Sequence, residues 1–150
     1  MAQAFKLYNR AIRKLGAGTI VLPGAVRIAL VGSGGNFATK TQTLFGSQTD
    51  QVTSGFGYST SGKALAAEVW TVGVASAGQI KFDANDPVWA AAGGAINSIK
   101  ACVLFMSGAG AASCHNLAFA SLTGTAFNLA NGNSLTLQFN SSGIFTIANA

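Results

Sequence analysis

Apolar side chains recur at Phe5, Tyr8, Ile12 and Leu15, three or four positions apart, with Lys6, Arg10, Arg13 and Lys14 between them. This spacing predicts an amphipathic helix over residues 3–15, its basic residues opposite the apolar stripe, ended by Gly16 and Gly18. A different period follows. Val26, Ile28 and Leu30 alternate with Arg27 and Ala29, the period of two that marks a first strand over 25–31. From 32 to 64 the pattern dissolves into Gly, Ser, Thr, Gln and Asn. Phe37, Leu44, Phe45, Val52, Phe56 and Tyr58 are its isolated apolar anchors. An extended excursion of this length is usually functional, and the anchors suit insertion into grooves on neighbouring subunits.

Strand character returns over 65–75, where Glu68, Trp70, Val72 and Val74 would share a face, and over 79–82 after an Ala77-Gly78 turn, which together predict a hairpin. Ile96 to Met106 is the longest apolar run and reads as one strand at the centre of the sheet system. If residues 114–120 return along it around Gly108-Ala109-Gly110, Cys114 falls near Met106 and Cys102 near Ala118. That register keeps the sulfurs apart and predicts two reduced thiols. At the end, Ser134 to Phe139 alternates, Ser141-Ser142-Gly143 turns and Ile144 to Ile147 returns, a second hairpin. The pattern as a whole predicts a mainly β, antiparallel sandwich or barrel-like domain over 1–150, with one short N-terminal helix and a β-rich core at 65–147.

Composition sharpens this. Charged residues make up 9% of the 150, against a typical ~25%. So little charge fits a surface covered by neighbours in an assembly, or a secreted or surface-layer protein. The formal net charge of +5 is concentrated in Lys6, Arg10, Arg13 and Lys14. This face is either solvated or docks on an acidic partner. Lys and Arg are not spread over a face with interleaved aromatics, so nucleic acid is not expected as a partner. No apolar run reaches the ~18 residues needed to span a bilayer, and the segment 16–23 is too short and broken for a secretory signal. An intracellular product is expected.

Few residues could carry chemistry. Gly32-Ser33-Gly34-Gly35-Asn36-Phe37 follows a strand as a dinucleotide fingerprint would, but Phe37 stands where the last glycine belongs and no helical pattern follows. The acids are Asp50, Glu68, Asp83 and Asp86, and His115 is the one histidine. Asp83 and Asp86 flank Ala84-Asn85 as turn-capping residues do, with a calcium loop as the lesser alternative. Cys114-His115 lacks a third orienting group, and one His with two Cys is a poor metal set. Trp70 and Trp89 either anchor a partner or pack in the core. Asn140-Ser141-Ser142 reads as a turn despite its match to a glycosylation pattern. No catalytic residue, cofactor, metal or small-molecule substrate is expected.

One stretch is more specific. Gly55-Phe56-Gly57-Tyr58, a turn through Ser59-Thr60-Ser61-Gly62, a strand, then Lys81-Phe82-Asp83-Ala84-Asn85-Asp86-Pro87-Val88-Trp89 follow in that order. This layout, from about Phe5 to Ile147, resembles a family of small structural proteins of tailed-bacteriophage particles. The chain departs from it after Tyr58, where the family often carries a Gly pair, and in the Ala/Gly-rich stretch 107–114. The resemblance implies a virion component without enzymatic activity, most simply a capsid decoration (cement) protein. Such a protein binds the major capsid protein or other virion subunits, often as a homotrimer, and is assembled in the host cytoplasm. The alternative role is a tail, baseplate or fibre-attachment module recognising another virion protein or a cell-surface glycan.

Overall fold

The computed structural model describes residues 4–18, 20–22, 24–72, 79–108 and 114–148. Val74, the Ala77-Gly78 turn, Ala109-Gly110 and the first residue of the expected helix lie outside them. The protein is mainly β, with antiparallel sheets and one short helix, as the pattern predicts. In chain order the elements are β1 (Lys6–Leu7), α1 (Asn9–Gly16), β2 (Val26–Val31), a 3-10 turn (Phe45–Ser47), β3 (Lys63–Ala64), β4 (Val69–Val72) and β5 (Gln79–Asp83). They continue with β6 (Val88–Ala90), β7 (Ile96–Ile99), β8 (Ala101–Met106), β9 (Asn116–Ser121), β10 (Phe127–Leu129), β11 (Ser134–Thr136) and β12 (Phe145–Ala148). A five-stranded sheet runs β1-β9-β8-β2-β3, beside β12-β5-β4 and the two-stranded pairs β11-β6 and β10-β7. β8 is its middle strand, buried on both faces from Ala101 to Phe105, where its apolar run placed it.

The expected hairpin of 65–75 with 79–82 forms as β4 and β5, Trp70 opposite Phe82. The other long-range expectations are corrected. The helix begins only at Asn9, because Lys6 and Leu7 pair with β9 opposite Phe119 and Ala118. A sheet edge offers these residues backbone partners that a fraying first helical turn does not. Ala11 takes the buried position on the helix, and Ile12 is 54% exposed. The 96–106 run splits at Lys100, and within its first part Ser98 adopts φ 59° with its N–H on Asn128 Oδ1 at 2.8 Å. β7 then pairs with β10 and β8 with β2 and β9. Cys102 lies opposite Ala120, two residues from the expected register, with a bulge at Leu104/Phe105. The cysteines are not joined.

The final hairpin does not form. Its turn exists, with the Gly143 N–H on the Asn140 carbonyl at 2.7 Å, but its arms diverge: Leu135 lies opposite Trp89 on β6, and Phe145 opposite Phe82 on β5. Alternation specified two strands and a turn, and the aromatic partners are set by the rest of the fold. Phe145 closes a cluster with Trp70 at 5.8 Å and Phe82 at 5.3 Å between ring centroids. Gly143 passes over β5 so closely that a Cβ would collide with the Lys81 side chain and stand 2.8 Å from the Phe82 carbonyl oxygen.

Segment 32–64 belongs to the domain's own core. Phe37, Phe45, Val52 and Tyr58 are buried, with Phe45 stacked on Phe105 at 3.9 Å. The segment also closes part of the edge of β2. The Leu30 N–H donates to Tyr58 Oη at 2.9 Å, and the N–H of Val52 donates to the Leu30 carbonyl at 3.2 Å. Burial pushes the Tyr58 phenol up to about 12, against the opposing effect of the Leu30 hydrogen bond.

Candidate functional site

Helix α1 organises the surface. An α-helix turns about 100° per residue, so with Ala11 buried against β9, Arg10 and Lys14 fall on one flank, Ile12 and Leu15 on the other, and Arg13 on the outer side. The N-cap, Tyr8, makes no side-chain cap hydrogen bond and the first turn holds no acidic residue. Positive charge at this helix end is therefore uncompensated locally.

On the basic flank, Lys14 Nζ lies 2.8 Å from His115 Nε2. An ammonium only donates, so Nε2 accepts and the imidazole proton sits on Nδ1. That Nδ1 is buried without a partner. Desolvation first, then Lys14 and Arg10, hold the imidazole below its ordinary pKa. Beside it Asn116 is 1% exposed with neither amide atom hydrogen-bonded. Its backbone N–H reaches the Thr43 carbonyl at 3.1 Å. Among the described residues, every buried side-chain nitrogen or oxygen lacking a partner belongs to Arg10, Gln48, His115 or Asn116. Segment 43–48 is tied to the start of β9, where Leu44 bridges His115 and the Phe45 N–H donates to the Cys114 carbonyl at 2.8 Å, while the Gln48 amide donates to Tyr8 Oη at 3.2 Å.

The acids are elsewhere. Asp50 Oδ2 accepts the Gly34 N–H at 2.7 Å within the glycine loop, and Glu68 accepts those of Gly24 and Val26 at 2.8 and 3.1 Å. Asp83 pairs with Lys81 at 3.0 Å and accepts the Ala84 N–H, while Asp86 accepts that of Phe139 at 2.8 Å. Asp83 thus holds its local backbone as its spacing suggested, whereas Asp86 makes its bond to a residue 53 positions on rather than within its own turn. Among the described residues no three His, Cys, Asp or Glu side chains converge as a metal site would require. The basic flank offers positive charge and hydrogen-bond donors, a chemistry for holding anions.

On the other flank an apolar cleft of about 760 Å³ opens between α1, residues 20–22 and the β12-β5-β4 sheet. Ile12, Val21, Ile80 and Ile147 line it and stay exposed, Val21 by 70%. The rim of the aromatic cluster, at Trp70, forms part of its floor.

Of the contact residues expected from sequence, Arg10, Arg13 and Lys14 share α1, while Lys6 stands apart on β1. Phe37, Phe45 and Tyr58 are buried in the core and Leu44 is half-buried, so these anchors are not available as protruding contacts. Phe56 is: it is 50% exposed at φ 54°, in a tight turn closed by mutual hydrogen bonds between Gly55 and Tyr58 at 2.9 and 3.0 Å. Trp89 is buried. Sequence reasoning missed the approach of Lys14 and Arg10 to His115 and the burial of Gln48 and Asn116, which only the tertiary pairing creates. It missed the cleft too, although Ile12 beside three cations was a visible signal. No family model, curated protein or solved structure matches this chain.

Proposed function

We propose that the chain is a structural subunit of a tailed-bacteriophage particle, of the capsid-decoration type, which joins its neighbours through the face carrying α1. The observation that supports this reading is the apolar cleft: Ile12, Val21, Ile80 and Ile147 lie exposed around one concavity. Clustered exposed apolar side chains are costly in a free monomer and mark surfaces that associate. Apart from the Trp70 indole, Thr146 supplies the one polar side chain among the described residues of its lining, so the cleft suits apolar side chains of another subunit better than a small polar substrate. The resemblance of the layout to small virion proteins supports this setting, with the major capsid protein or other virion subunits as the proposed partners and a homotrimer as the proposed assembling unit. Purified particles test it by stoichiometry. Hundreds of copies per particle are expected for a decoration protein. A few to a few dozen would assign it to the tail or baseplate instead, and absence from particles would overturn the reading.

A further inference from the structure

We infer that the hollow where segment 41–43 faces the first turns of α1 is a binding site for an oxyanion, a phosphate or carboxylate group, held by Arg10, Arg13 and the hydroxyls of Thr41 and Thr43. These four residues and Asn9 line a concavity of about 520 Å³. Arg10 and Arg13 are three positions apart and so project from adjacent turns of one helix face. The segment is fixed against the helix start by the Asn9 N–H, which donates to the Lys40 carbonyl at 3.0 Å, and against β9 by Thr43.

An unmet donor identifies the ligand's charge. Arg10 Nε is buried with no acceptor, and a buried donor of a charged group left unpaired is strongly unfavourable until an acceptor reaches it. Among the described residues no acidic side chain supplies that acceptor, since Asp50, Glu68, Asp83 and Asp86 are all engaged elsewhere. A planar guanidinium presents parallel donors matched to two oxygens of one carboxylate or phosphate, and the threonine hydroxyls suit the remaining oxygens. Lys14, 2.8 Å from the neutral His115 imidazole, adds positive charge to this corner. The site does not depend on what fills the apolar cleft.

His115 is the one histidine of the chain, so its imidazole C–H resonances report on this corner without assignment ambiguity. The isolated protein is titrated with inorganic phosphate, with acetate and with chloride at matched ionic strength. Phosphate should move the His115 signals saturably and raise the pH at which they titrate, because an added anion offsets the neighbouring cations. Chloride should give no saturable change. Saturation by phosphate alone assigns the site to phosphate groups; saturation by acetate as well assigns it to carboxylates, including acidic side chains of a partner. Arg13→Gln, at an exposed position where folding is retained, should weaken the response about tenfold or more. Thr43→Val should weaken it less. A linear, chloride-like response, or an R13Q titration superimposable on that of the unaltered protein, would overturn the inference. Because no particle is involved, either result leaves the proposal about the cleft to its own test.

Discussion

Glu68 accepts two backbone N–H groups at the entry to β2, from Gly24 and Val26. Its carboxylate therefore anchors the segment that leads out of α1 into the central sheet. Glu68→Ala should cost about 1–3 kcal/mol, the usual loss when donors to a charged acceptor are left half-buried, read as a lower urea midpoint with unchanged m-value. His115 gives stability a pH dependence. Its folded pKa is lowered, so between that value and the ordinary ~6.5 the unfolded chain binds a proton that the native chain does not. The stability contributed by the neutral ring is complete above about 6.5 and is lost as pH falls through the folded pKa. Urea midpoints should accordingly drop as buffer is taken from about pH 7.5 to about pH 5, and His115→Gln should flatten that slope. A slope unchanged in the variant would place the titration on other groups.

At the scale of elements, the Gly55–Tyr58 turn places an aromatic side chain at positive φ, where a non-glycine residue is strained. Asn tolerates that region better than Phe. Phe56→Asn should keep the fold to within about 1 kcal/mol, while attachment to a partner falls if the half-exposed ring is a contact. Thermal melts and particle co-sedimentation separate the two effects. The rest of segment 32–64 should behave as core: hydrogen exchange on the isolated protein is expected to show the amides of Leu30, Val52 and Tyr58 protected, through their bonds to Tyr58 Oη, the Leu30 carbonyl and the Gly55 carbonyl. Sparse anchors in a polar run looked like a segment unable to bury itself, because composition counts apolar residues without seeing what they meet. Phe37 meets Phe119 and Phe45 meets Phe105. Strands with a local signature, 26–31 and the β4–β5 hairpin, were legible for the opposite reason: period and turn are short-range properties. The register of β8 on β9, the diverging arms after Thr136 and the polar junction at Asn116 depend on partners far along the chain. Period cannot report them.

For the whole molecule, the two flanks of α1 give one face two distinct chemistries, apolar toward Ile80 and Ile147 and cationic toward His115. Placing a charge in the cleft by Ile12→Glu or Ile147→Lys should leave the domain folded, since both side chains are more than a third exposed, and reduce binding to particles about tenfold or more. Binding unaffected by both changes would remove the cleft from the interface. The pairing of Lys6 with Phe119 and Leu7 with Ala118 also governs timing. α1 cannot settle until β9 has been synthesised and has found β8, and the apolar cleft also needs β12 paired with β5. Closing so long a loop is a slow, entropy-limited event. A nascent chain would thus hold this face incomplete until residues 116–121 and 145–148 had both emerged.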